Sequence, residues 1–183
     1  MHGWQTGQRL RPAVKAELKA FAHSDAFVSQ QIASADRVAE QAWSSASLWN
    51  TEAGEGQPTL QEFCWFFDLR TQNGGLKGIS PVDVQEFIAA AGLDRGDDLV
   101  CDWLEARTEA DRGFRDSTKN VQLWRNAMPD AHLMLFVARY LRSQKASLPW
   151  RADVLNRKGT IALGLGWVHG EKHELQVIFD STF

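Results

Sequence analysis

The sequence predicts a mostly α-helical domain. Apolar residues recur at steps of three and four along most of the 183 residues, helix-capping signals punctuate the chain, and strand-like alternation is confined to the residues after Gly159. The length suits one domain spanning residues 1–183 with a substantial core. The expected architecture is a set of helices around a central hydrophobic helix, closed by a short β-hairpin or an irregular C-terminal tail.

Pro12 opens a first helix reaching Ala22, because proline in the first turn forfeits no helical hydrogen bond. Ser24 or Asp25 caps the second, expected over residues 25–48, where Val28, Ile32, Ala35, Ala39, Ala42 and Ala46 form one packing stripe. Residues 50–58 (NTEAGEGQP) read as a loop. Thr59 with Glu62 three residues on forms a capping box, so a third helix starts at Leu60 and ends near Asn73-Gly74, where glycine accepts the left-handed cap. Its apolar residues Leu60, Phe63, Cys64, Trp65, Phe66, Phe67 and Leu69 point all round the axis, the mark of a central helix.

Ser80-Pro81 with Asp83 starts the next helix and Gly92 stops it. Further helices are expected over residues 97–110, 119–127 and 131–142, with residues 112–116 and Met128-Pro129-Asp130 as breaks. A short helix over residues 150–156 follows Pro149, after which residues 160–165 and 175–179 read as strands joined by a loop at 166–172.

A net charge of −3 without a basic stripe argues against a nucleic-acid partner. No apolar run approaches the roughly 18 residues of a membrane span, and the first residues (MHGWQTGQRLRP) lack the apolar centre of a classical secretion signal. Cys64 and Cys101 sit in apolar helical segments and suit buried thiols better than a disulfide. Eight tryptophans stand against one tyrosine; Trp49, Trp150 and Trp167, near expected loops, are the candidates for sugar-stacking platforms.

Two constellations stand out from this helical background. The segment Phe66-Phe67-Asp68-Leu69-Arg70-Thr71-Gln72-Asn73-Gly74-Gly75 places a carboxylate and two amides at the end of an oily helix, with Asp68 and Gln72 one turn apart on one face. Unless a cation pairs with it, a carboxyl in those surroundings has a raised pKa, as a general acid needs. The structural alternative is neutralisation by a distant arginine, Arg157 or Arg139. Glu52 and Glu55, in the loop ahead of this helix, can supply the second carboxyl that glycoside hydrolysis requires within roughly 5 to 9.5 Å of the first. The second constellation, residues 153–170 (DVLNRKGTIALGLGWVHG), mixes charge, glycine and histidine. His169 and His173 are four apart, but Gly170 argues against a helix there, so neither a metal site nor a cofactor is expected.

These two segments resemble those of the lysozyme-like peptidoglycan hydrolases of bacteria and their phages. The resemblance rests on Phe67-Asp68 followed by Gln72-Asn73-Gly74, a pattern similar to one in chitosanases, and on Asp153 through Ala162 with Gly164, Gly166, Val168, His169 and Gly170. It covers residues 25–80 and 150–172. It implies a helical, two-lobed fold whose cleft cuts the β-1,4 bond between N-acetylmuramic acid and N-acetylglucosamine. Asp68 is then a catalytic candidate with Glu52 and Glu55, while Gln72, Asn73, Arg157 and His169 are substrate-binding candidates. Peptidoglycan strands are the implied partner. Some members are antibacterial effectors of contact-dependent secretion, which adds a cognate immunity protein as a partner and delivery to the cell wall without a classical signal peptide.

The family's general-acid glutamate, set in a Glu-Ser context ahead of a glycine-rich segment, has no counterpart before residue 25. Three options follow: the chain is the C-terminal portion of a larger enzyme, Glu52, Glu55 or Glu62 serves instead, or the domain binds glycan without cutting it. The capping box already accounts for Glu62.

Overall fold

The computed structural model describes residues 5–6, 9–92, 96–125 and 133–180. It is mostly helical, with two small antiparallel sheets. The chain divides into two units, Met1–Glu40 and Gln41–Phe183.

The first unit holds strands β1 (Gln5–Thr6) and β2 (Arg9–Leu10), helix α1 (Pro12–Ala22) and the start of helix α2 (Asp25–Ala53). Pro12 stands at the start of α1 as its sequence requires, and the Ser24 hydroxyl accepts the Phe27 N–H at 3.4 Å at the head of α2. The expected packing stripe fails in this unit. Val28 and Ile32 are 41% and 58% exposed, and only its members Ala42 and Ala46, in the second unit, are buried.

The second unit is built from the end of α2, α3 (Leu60–Asn73), α4 (Pro81–Ala91), α5 (Gly96–Glu105), α6 (Phe114–Trp124), α7 (Leu133–Gln144), α8 (Arg151–Leu163), the hairpin β3 (Leu165–Val168) and β4 (Glu171–Glu174), and α9 (Gln176–Phe179). Local chemistry sets the starts of α3 and α4. Thr59 and Ser80 each close a complete capping box, and Gly74 ends α3 in the left-handed conformation. Among the described residues no helix is long and apolar enough to cross a membrane.

Two clusters make the core of this unit. One joins Ala42, Ala46 and Trp49 of α2 to Trp65, Phe66 and Leu69 of α3 and to Val137 and Ala138 of α7. The other gathers Val100, Leu104, Trp124, Phe136 and Leu155. Helix α8 packs against α3, α6, α7 and β3. The apolar girdle of α3 is buried on the Trp65, Phe66 and Leu69 side, whereas Phe63, Cys64 and Phe67 stay half-buried.

Several boundaries differ from the sequence expectation. Helix α2 continues through residues 50–53, because Asn50 turns inward and its amide donates to Gly56 O and Glu62 Oε2, both at 3.3 Å. Glu52 therefore sits on a helix, not in a loop. Helix α5 stops at Glu105, and α6 starts at Phe114, inside the expected break. The expected end of that helix at Ala127, the break Met128-Pro129-Asp130 and the start at residue 131 lie outside the described residues. The largest difference is α8. It runs on past residue 156 to Leu163, through residues 160–163 that read as strand, and the strands fall instead at Leu165–Val168 and Glu171–Glu174, with residues 176–179 helical.

A buried polar network clamps the hairpin onto α6 and α8. The Asn120 amide donates to Asn156 Oδ1 (3.0 Å) and Trp167 O (2.9 Å) and accepts the Trp167 N–H (2.6 Å). The Asn156 amide donates to Gly113 O (2.9 Å) and Ser117 Oγ (3.0 Å). Asn120→Ala strands several of these groups at once and is expected to cost about 2 to 3 kcal/mol, measured as the shift in urea unfolding. A change below about 0.5 kcal/mol would mean that water replaces the amide.

Candidate functional site

Asp68 is the point at which the two sequence constellations meet. Lys158 Nζ donates to Asp68 Oδ2 at 2.7 Å, and Arg157 Nε lies 3.1 Å from Oδ1. Both cations come from the middle of α8, on adjacent residues about 100° apart around the helix, so the carboxylate from α3 fits between them. The structural alternative named from the sequence is thus realised through Arg157, with Lys158 added. Arg139 is not a partner: its Nη1 donates to Lys158 O (3.0 Å) and Gly159 O (2.7 Å) while its guanidinium stacks 3.9 Å from the Phe136 ring.

The Lys158 side chain is fully buried, Asp68 is 15% exposed and Arg157 is 24% exposed. Burial pushes the Lys158 ammonium down to about 8 from 10.5; Asp68 opposes this, and the like charges of Arg157 and Arg142 reinforce it. Between these values the folded protein has released a proton that the unfolded chain still holds, so this group's contribution to stability rises with pH from about 8 to 10.5. Relative to Lys158→Met, the parent protein is expected to gain stability over that window in urea titrations. A gap between the two that does not move with pH would contradict the assignment.

Asp68 forms one wall of an open groove on the half-buried side of α3. The groove, about 390 Å³, is lined by Phe63, Cys64, Phe67, Asp68, Thr71 and Gln72. Trp43 of α2, 47% exposed, lies with its ring centroid 6.2 Å from that of Phe63. Gln72 is exposed, and the side chain of Asn73 lies outside the described residues. Aromatic faces beside an amide, a hydroxyl and a carboxylate can take a ligand with one apolar face and a hydroxylated edge.

The remaining candidates lie apart from Asp68. Glu52 lines a separate, narrower groove of about 130 Å³ with Ser45, Trp49, Arg70 and Gly75. Glu55 sits in the loop after α2, where burial and then the nearby Glu62 raise its pKa, favouring the protonated form. Among the described residues neither glutamate makes an ion pair with Arg157 or Lys158.

His169 takes a different partner. It stands at the β3–β4 turn with φ of 53°, and its Nε2 is 3.3 Å from Asp153 Oδ1. Asp153 lies one turn before Arg157 on α8, but no ion pair joins them, so the Asp68–Arg157 and Asp153–His169 pairs are separate. Next to His169, the buried Asp116 of α6 accepts the Gly170 N–H at 3.2 Å on both oxygens and lines a cavity of about 450 Å³ with Glu109, Asp111, Gly113, Phe114, Arg115 and Gly170. Sequence reasoning missed Lys158, Asp116 and Asp153 as site residues; extending the short helix of residues 150–156 onward to residue 163 would have put Lys158 on the same helix as Arg157.

Of the expected tryptophan platforms, Trp49 is excluded, being 2% exposed and packed on Phe66. Trp150 and Trp167 each have a cation over the ring, Arg112 at 4.1 Å and Lys119 at 3.6 Å. Both cysteines are free thiols whose pKa burial raises, that of Cys101 to about 12. No group of three or more metal-ligating side chains occurs among the described residues. With this geometry in hand, comparison with protein-family models, curated proteins and solved structures finds no match for the chain.

Proposed function

We propose that this chain is a peptidoglycan-directed, lysozyme-like glycoside hydrolase domain acting on the β-1,4 bond between N-acetylmuramic acid and N-acetylglucosamine, of the kind used by antibacterial effectors. The supporting observation is the meeting of the two family-like segments at Asp68, Arg157 and Lys158 beside an open aromatic groove. Held by two cations, Asp68 serves as the ionised carboxylate that steadies an oxocarbenium-like centre, not as the proton donor. Glu55, whose pKa is raised by burial and by Glu62, is the donor candidate the sequence offers, and it does not line the groove beside Asp68.

The occupation of both Asp68 oxygens by cations favours a second reading, a glycan-binding or immunity-protein-binding module without turnover. Incubation with purified peptidoglycan sacculi from about pH 4 to about pH 8 separates the two. Soluble muropeptides, lost by about 10²-fold or more in Glu55→Gln with stability unchanged, support hydrolysis. Sedimentation with sacculi, or a tight protein partner, without release of products supports the module. Failure to cut or bind glycan removes the hydrolase reading altogether.

A further inference from the structure

The first unit carries an apolar seam that the rest of the described chain leaves uncovered. Val14, Leu18 and Phe21 of α1 and Val28, Ile32 and Ala35 of α2 follow alternating steps of four and three, a heptad register that crosses the bend at His23-Ser24 and is interrupted only by Asp25. Further along α2 the same register, at Ala42, Ala46 and Trp49, packs into the core of the second unit. None of the six upstream residues is buried, and Leu18 and Phe21 are 49% and 59% exposed. Helix α1 has 11 residues and buries none of them, and a helix of that length is marginal in water without a packed face.

The charge beside the seam narrows what can cover it. Residues 9–22 carry Arg9, Arg11, Lys15 and Lys19 against Glu17, whereas residues 25–40 carry Asp25, Asp36 and Glu40 against Arg37. An anionic lipid surface would attract the first half and repel the second. A second copy of the chain meets both signs when it runs the opposite way. We infer that this face is the contact between two copies, in which a two-fold axis bisecting the bend lays α1 of each copy antiparallel along residues 28–39 of the other. Because the axis bisects the bend, the pairing holds whatever the angle between α1 and α2. Leu18 then faces Ala35 of the other copy, Phe21 faces its Ile32, and Lys15 flanks the seam on the same edge as its Asp36. A parallel pairing would set the basic helices on each other and Asp25 on Asp25. The dimer is independent of whether the chain cuts glycan.

Sedimentation equilibrium of the full chain from about 1 to about 100 µM is expected to show a monomer–dimer equilibrium. Ile32→Asp, at an exposed position outside both core clusters, should leave the chain monomeric with the near-UV signal of the buried tryptophans unchanged. Lys15→Glu and Asp36→Lys should each weaken the dimer about tenfold at low salt, and combining them in one chain should regain most of the affinity, because opposite charges then face each other again. A parent chain that stays monomeric throughout, or a dimer indifferent to Ile32→Asp, overturns the inference. Failure of the double variant to recover overturns the antiparallel pairing. A monomeric chain that sediments with phosphatidylglycerol vesicles gives the face to a lipid surface and rules the dimer out.

Discussion

Asp68→Ala is expected to lower the stability of the protein by about 3 to 5 kcal/mol, or about 10 °C in Tm for a chain of this size. Lys158 is sealed from solvent and its ammonium donates to Asp68 at 2.7 Å, so removing the carboxylate strands a buried charge beside the like charges of Arg157 and Arg142. That ammonium is already pushed down to about 8, which limits the loss near neutral pH, because the group can shed its proton instead of holding an unpaired charge. Asp68→Leu combined with Lys158→Met should recover most of the stability, since replacing a buried pair by apolar groups of similar volume is often neutral. Urea unfolding of the single and double variants checks both statements. A loss below about 0.5 kcal/mol for Asp68→Ala would mean that water reaches Lys158 and that the two constellations are joined only loosely.

Gly159→Ala is expected to cost about 3 kcal/mol, although glycine inside a helix is usually the worse residue by about 1 kcal/mol. A Cβ at position 159 would stand 2.1 Å from Trp124 Cη2, a distance no packed atoms share. The indole cannot step aside freely: its Nε1–H donates to Leu165 O at 2.8 Å and its ring lies edge-on to Phe136 with centroids 5.7 Å apart. The methyl therefore displaces the ring, the hairpin contact, or α8 itself. Trp124→Phe removes the conflicting atoms, so Gly159→Ala should be tolerated better in that background than in the parent, a coupling readable as non-additive unfolding free energies. Additive effects would show that the clash is relieved elsewhere.

These two positions also show why one helix was legible in the sequence and another was not. Helix α3 starts and stops where Thr59, Glu62 and Gly74 say it should, because those signals act between residues three or four apart and need no tertiary partner. Helix α8 carries a glycine in its interior followed by Thr160 and Ile161, a local pattern that favours strand. The helix survives because Trp124 occupies the space over Gly159 and Arg139 binds the carbonyls of Lys158 and Gly159. In the same way Glu52 read as a loop residue, and the inward turn of Asn50 carried α2 past it.

By itself the sequence determined the mostly helical class, the capped starts of α3 and α4, the free thiols and the need of Asp68 for a cation, with Arg157 among the partners it named. Periodicity and capping are local, and a carboxylate in an oily helix announces that it needs a partner. Only the tertiary structure decided which partners it takes, that Lys158 is one of them, that His169 turns to Asp153, and that Phe63 and Phe67 border an open groove. Those outcomes depend on which helices are neighbours, and that is fixed by long-range packing that no short stretch of residues encodes.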